Sequence, residues 1–376
     1  MPFSSLSSVE WIELPANGIR PICSRLEDGY VYGRDDATKL YRSTDGARTW
    51  AQVGSTGLAS GASLLVPSDD GEVLIVGNLD IYRTTGWGTA SISKSSVLTS
   101  PTTAYFMPWG VDFNGTGKVV ATHYGSPFTD SRYVWLSTDY GHIWSVIRDL
   151  DSDSKNDRHI HFALFDRYAS DRIYISHHEE IAAGSGKSIE YSDNSGSSWT
   201  AVHSQTVLRA DNVLRELQPT TGIAVPEGLL LGSDDHETGL YRLPRGSSDV
   251  VMLTPGAVET GAYTTRSFAT YSAKDPDTGL IYTCWKQQTA NGRNYIICSN
   301  GIEGAVVYED PGQYSTASGS LPGFYYLAIT DTEVIATAIR PSASDGVTKV
   351  WWLFRASKAS YTTSPKAPEN MLIYSE

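Results

Sequence analysis

Three stretches of this chain spell one octet: STDGARTW (residues 43–50), STDYGHIW (residues 137–144) and SDNSGSSW (residues 192–199). Each begins with a serine (Ser43, Ser137, Ser192) and has an acceptor side chain two places on (Asp45, Asp139, Asn194). Each ends in tryptophan (Trp50, Trp144, Trp199). Gly141 and Gly196 hold the fifth place; in the first copy Ala47 stands there, behind Gly46. Asp or Asn at the third place can accept from backbone N–H groups of its own turn. The fifth place suits a positive φ, and the indole can fill an apolar gap under the turn. A short apolar run precedes each octet (KLYR, YVWL, SIEY) and another follows (WAQV, WSVI, WTAV), so the octet is a repeated hairpin turn.

The octets resemble the Asp box, or BNR repeat, of the sialidase-like β-propellers. The second copy matches throughout, the third carries Asn194 for Asp, and the first lacks the usual glycine. The resemblance implies an all-β propeller with the box on the turn between the third and fourth strands of a blade. There it faces the rim away from the ligand, so it marks fold and not chemistry.

Spacing then sets the blade count. The box tryptophans lie 94 and then 55 residues apart, so a blade with a degenerate box belongs in the first gap. The runs GASLLVPS, EVLIVGN, DIYRTT and ASISKSSVL supply it, with a worn box at residues 84–88. Two more sets of four runs follow, and FYYLAITD, EVIATAI and VWWLFRAS give three strands of a last blade. The missing fourth is VEWIELPA (residues 9–16), which would close the ring and remove the open sheet edge. The expectation is seven four-stranded blades of about 54 residues in one domain, residues 1–357, with residues 358–376 as an extension. Six overlong blades are the alternative.

Composition narrows the function. The net charge of −13, with no Lys/Arg cluster, argues against nucleic acid and anionic membranes as partners. No apolar run reaches the roughly 18 residues of a membrane helix. The opening MPFSSLSSVEWIEL has neither a basic nor an apolar signal region. Three cysteines (Cys23, Cys284, Cys298) make no disulfide framework. Were Asn291-Gly292 a two-residue hairpin turn, Cys298 would face Trp285, and Cys284 and Cys298 would lie on opposite faces. The expected setting is a virion or the extracellular space without a conventional signal, with the cytoplasm as the alternative.

All eight histidines fall between His123 and His236. His159 and His161 begin the first strand of the fourth blade. His123, the pair His177-His178, and Asp234-Asp235-His236 end second strands of the third, fourth and fifth blades. First-strand starts and second-strand ends share a mouth in a propeller, so these residues are expected around one funnel. Three uses are open: a divalent metal on imidazoles and a carboxylate, general acid/base catalysis by a His with a carboxylate and a tyrosine, or a polar funnel without a reaction. The candidate catalytic set is His159, His161, His177, Asp234, Asp235 and His236. The candidate ligand-binding set is Arg20, His123, Tyr124, His178, Arg215 and Glu216.

The sialidase resemblance implies more about the arginines. Arg20, directly before Pro21, stands for the first arginine of a carboxylate-clamping triad, although the Ile between Arg and Pro is missing. Arg34 and Arg42 fall near further basic positions. Arg215 or Arg266 stands for later triad members, and Glu216 for the glutamate that activates a tyrosine nucleophile. The aromatics Trp87, Trp109, Tyr124, Phe128, Trp351 and Trp352 near strand ends offer faces on which sugars stack. The expected function is glycan recognition by a phage tail component that contacts host polysaccharide and other virion proteins. The rival is a glycoside hydrolase or polysaccharide lyase; propeller lyases pair His with Tyr, as His123-Tyr124 does.

Overall fold

Short runs of alternating apolar and polar residues, broken by Gly, Asp, Asn and Ser, fold as antiparallel meanders joined by tight turns. The computed structural model describes residues 3–26, 28–37, 39–54, 61–89, 92–101, 104–124, 132–150, 159–170, 172–178, 187–204, 206–208, 214–216, 219–233, 239–255, 267–287, 294–310, 323–341, 344 and 349–361. Among them one 3-10 turn, Asp69–Gly71, interrupts an otherwise all-β chain.

The first blade comprises Arg20–Pro21, Val31–Arg34, Leu40–Ser43 and Ala51–Gln52, and the second Leu64–Pro67, Val73–Val76, Asp80–Thr85 and Ser93–Thr99. The third holds Tyr105–Phe113, Val119–Tyr124, Tyr133–Ser137 and Ser145–Asp149, and the fourth His159–Asp166, Arg172–His178, Lys187–Ser192 and Thr200–Ser204. The fifth holds Pro219–Val225, Gly228–Ser233, Gly239–Pro244 and Val251–Pro255, and the sixth Ser267–Lys274, Ile281–Gln287, Tyr295–Ser299 and Gly304–Glu309. Gly323–Ile329, Glu333–Pro341 and Lys349–Ser357 form the last group, joined to the sixth blade by the single pair Lys286↔Gly323. The first strand of each group packs against that of its neighbour, so the sheets stand around an axis as the blades of a β-propeller. A two-stranded ribbon, Thr206–Leu208 with Leu214–Glu216, is inserted between the fourth and fifth.

Closure comes from the N-terminus. Ser7–Glu13 pairs antiparallel with Lys349–Ser357, placing Trp11 opposite Phe354 and Glu13 opposite Trp352. It thereby becomes the fourth strand of the last blade. The Trp11 ring lies 5.0 Å from Phe354 and 5.7 Å from Phe324, with the Arg340 guanidinium 3.9 Å over it. Both chain ends then cross the sixth blade. Leu6 N–H donates to the Val307 carbonyl (2.9 Å), and Phe3 bridges to Tyr361. Lys358 reaches Asp275 (2.8 Å), and Ala359 N–H donates to the Tyr282 hydroxyl (3.1 Å). Residues 362–376 lie outside the described residues.

The three octets share one hydrogen-bond plan. Ser43, Ser137 and Ser192 each accept, at 2.8 Å, the N–H of the fifth residue: Ala47, Gly141 and Gly196. Each donates to the acceptor two places on, Asp45, Asp139 or Asn194, which takes a further N–H from Thr49, Ile143 or Ser198. The fifth residue has φ of 64°, 87° and 88° in turn. It also approaches the preceding blade: a Cβ on Gly141 would meet Leu74, and one on Gly196 would meet Ile147. The worn box of the second blade is satisfied differently. The Glu72 carboxylate accepts from Gly86 N–H (2.6 Å), Trp87 N–H (3.1 Å) and the Thr84 hydroxyl (2.9 Å).

Two expectations need correction. Trp50, Trp144 and Trp199 are half-buried, because each lies over the rim of an inter-blade seam with one face in solvent. Trp144 donates to the Gly141 carbonyl (3.0 Å) and Trp199 to Ile147 of the preceding blade (3.3 Å). The cysteine register also differs: Cys298 faces Tyr282 and Cys284 faces Ile296, and Asn291-Gly292 lies outside the described residues. Cys284 and Cys298 therefore point into the same core layer, where burial raises both thiols to about 12.

Two experiments probe these devices. Removing residues 1–13 should leave the edge of Lys349–Ser357 unpaired and promote aggregation relative to the full chain, read by light scattering. Gly141→Ala should cost about 2 kcal/mol in urea melts, from backbone strain plus a clash with Leu74. Ala47→Gly should move stability by less than about 1 kcal/mol, because relief at a positive φ opposes loss of a buried methyl. Equal effects of the two would contradict this reading of the fifth place.

Candidate functional site

Strand pairing fixes which residues share a mouth. Arg20 lies opposite Arg34, Phe106 opposite His123, His159 opposite His178, Pro219 opposite Ser233, and Gly323 opposite Ile339. Each pair joins a first-strand start to a second-strand end. Third strands run away from this mouth and end in the box turns, so the boxes lie at the other end of the molecule.

The described histidines at this mouth, His123, His161 and His177, are built into the blades and do not line an open funnel. His123, His161 and His177 are 0%, 3% and 1% exposed. His123 Nδ1 lies 2.9 Å from the Ser100 hydroxyl, among the rings of Phe106, Tyr133 and Trp135. Burial without a countercharge lowers its pKa to about 4, so the ring is neutral. His177 Nε2 stands 3.6 Å from Glu190, which Arg148 of the third blade also contacts at 3.1 Å. Burial alone would raise the Glu190 pKa, but the hydrogen bond and charges of His177 and Arg148 hold it below the usual value.

His161 belongs to a pattern that the sequence does not announce. The first strands of the fourth to last blades each carry a one-residue β-bulge near the mouth, the extra residue being His161, Thr220, Thr270 and Tyr325 in turn. The first three latch onto the next blade just before its own bulge. His161 Nδ1 donates to the Pro219 carbonyl (3.0 Å), Thr220 to Ala269 (2.9 Å) and Thr270 to Phe324 (3.1 Å). This use of the imidazole is structural, and its counterparts are threonines. The Tyr124 ring lies 5.8 Å from that of His161.

Side chains of His159, His178, Arg215 and Glu216 lie outside the described residues, as do Asp234, Asp235, His236, Arg266 and Phe128. Among the described residues no group of three or more His, Cys, Asp and Glu is disposed to hold a metal. Arg42 stacks on Tyr30, at the end of the first blade away from the mouth (4.8 Å).

The fourth bulged residue, Tyr325, opens onto a different cluster. Its ring lies 5.4 Å from Trp351, which stacks at 17° on Tyr326. Lys286 Nζ stands 4.1 Å over the Tyr325 ring. On the other side of Trp351 the Arg20 guanidinium lies 5.1 Å over the indole and pairs with Asp36. Arg20 and Arg34 are directly opposite on neighbouring strands. Burial first, and then the Arg34 charge, lower the Arg20 pKa against the opposing pull of Asp36. Burial takes the Lys286 ammonium down to about 7. The last blade thus contributes aromatic faces, and its neighbours on either side contribute cations. Sequence reasoning reached Arg20, Arg34 and Trp351 separately; it missed Lys286 and the tyrosines, whose meeting depends on the bulge.

No family model matches the chain, and no curated protein matches it. Solved structures do. A GH74 xyloglucanase from Xanthomonas campestris is similar at 15% identity and a TM-score of 0.56, over 91% of this chain and 55% of that one. An oligogalacturonate lyase from Vibrio parahaemolyticus aligns at 11% identity and 0.56, over 94% and 96%. YCF48 from Cyanidioschyzon merolae aligns at 12% and 0.52, over 92% and 98%. At these identities the likeness shows the propeller fold alone.

His161→Ala should cost about 1–2 kcal/mol by removing a buried hydrogen bond, and His161→Thr should recover part of it. A variant that keeps its melting temperature but loses all ligand binding would instead put His161 in the binding machinery. His123 supplies a pH signature. Its folded pKa lies below the unfolded value of 6.5, so the unfolded chain binds the extra proton between pH 6.5 and about 4. Stability should therefore fall as pH drops through that window, by up to roughly 3 kcal/mol, and His123→Gln should remove that part of the slope.

Proposed function

We propose that the protein recognises an acidic glycan at this mouth, with a ligand carboxylate on Arg20 and Arg34 and a sugar ring on the face of Trp351 or its tyrosines. The observation that carries the reading is the meeting of two guanidiniums, one ammonium and three aromatic rings at one propeller mouth. Asp36 pairs with Arg20, and these cations gather at one mouth of a chain whose net charge is −13. Guanidinium forks match carboxylates, and rings offer apolar faces to sugars without sequestering their hydroxyls. The setting we propose is a virion surface, a tail component that meets host polysaccharide. Two neighbours are named as carbohydrate-active enzymes, which is compatible with a glycan ligand and no more.

A second reading, a polysaccharide lyase or glycoside hydrolase, is favoured by the Tyr124–His161 ring contact. The hydroxyl of Tyr124 would move the proton, since His161 Nδ1 is committed to the Pro219 carbonyl.

Titration calorimetry with uronic-acid oligosaccharides and size-matched neutral ones tests both. Wild type should bind the acidic set, and Arg34→Gln and Trp351→Ala should each weaken binding at least about tenfold. Affinity should fall as pH rises through about 7, where Lys286 loses its charge, and Lys286→Met should flatten that dependence. Equal binding of neutral and acidic oligomers, or none of either, refutes the glycan reading. Product formed by wild type and lost in Tyr124→Phe would establish the enzyme.

A further inference from the structure

A groove of about 410 Å³ runs along the rim between the fifth and sixth blades, at the box end of the molecule and far from the mouth. Phe3, Val251, Leu253, Ile302 and Ala305 give it an apolar floor, with Arg242 and Glu303 at its edges. Val251 and Ile302 are 44% and 53% exposed, unusual for branched aliphatics at adjoining turns.

The end of the described chain leads to this groove. Lys358 contacts the inner turn of the sixth blade at Asp275, Ala359 bonds to its second strand at Tyr282, and Tyr361 arrives at its third turn, 3.5 Å from Glu303. The Tyr361 ring lies 4.8 Å from Phe3, a lining residue. Residues 358–361 thus cross the blade outward and reach the groove edge. The chain beyond, TTSPKAPENMLIYSE (residues 362–376), has one apolar run, MLIY, at residues 371–374. The nine intervening residues can span up to about 30 Å, and they start from Tyr361, which touches the lining residues Phe3 and Glu303.

We propose that residues 371–374 of the same chain occupy this groove and cover Val251 and Ile302. The tether gives the segment an effective concentration of about 1 mM, so a weak intrinsic affinity of about 0.1 mM suffices for roughly tenfold protection. The apolar run would meet an apolar rim surface within reach of its tether.

The test uses the full chain. Hydrogen exchange in Val251–Pro255 and Gly304–Glu309 should be several-fold to tenfold slower than in a chain ending at Tyr361, and Leu372→Asp/Ile373→Asp should match the truncated form. The double variant Ile302→Cys/Ile373→Cys should form a disulfide within one chain under mild oxidation, since Cys23, Cys284 and Cys298 are buried. Exchange rates unchanged by truncation overturn the proposal. So does a cross-link that forms only between two chains in proportion to concentration, which would make a second copy the occupant.

Discussion

A four-stranded twisted sheet leaves two faces to cover, and in this molecule each blade has only its neighbours to cover them. Every core layer lies between blades, so no blade is stable unless both neighbours stand. The ring must therefore close, and it does so through main-chain bonds between Ser7–Glu13 and Lys349–Ser357. Joining the two ends of the chain in one sheet makes the ring a single cooperative object and removes the edge that would otherwise recruit other chains.

The same need to fix blade against blade shapes both ends of the molecule. At the box end the fifth residue of each octet presses on the preceding blade, where only glycine or a small methyl fits. At the mouth the bulged residue reaches forward to the next blade's carbonyl. A bulge leaves backbone groups unmatched within its own sheet, and the adjoining blade supplies the partner, so the irregularity becomes the fastening. Along the axis Arg25 lies 5.0 Å over Tyr271 of the sixth blade and 3.9 Å from Asp112 of the third, filling the centre with side chains.

At the last blade the bulged residue is a tyrosine, and an aromatic and cationic cluster gathers around it. Tyr325 takes the place of the latching His or Thr, and around it stand Trp351, Tyr326, Lys286, Arg20 and Arg34. Ser7–Glu13 completes the last blade at the rim, while this cluster stands at its mouth end. His161 and Tyr325 are equivalent in the fold and differ in what surrounds them.

The sequence by itself determined the repeating unit, the strand order and the closing strand. These follow from local patterns: short apolar runs such as Val73–Val76 bounded by turn residues, the Ser/Asp/Gly/Trp turn, and an orphan apolar strand at each end. It also put His123, His161 and His177 at the mouth ends of their strands, because strand direction dictates that. Only the tertiary structure decided which way each side chain turns. A one-residue bulge commits His161 to the Pro219 carbonyl and brings Tyr325 beside Lys286, and a register offset in Tyr295–Ser299 sets Cys298 on the same face as Cys284. Bulges and registers come from the fit of one twisted sheet against the next, which no stretch of sequence encodes alone. The depth of the box tryptophans is of the same kind, since burial at a rim depends on how far the neighbouring blade extends.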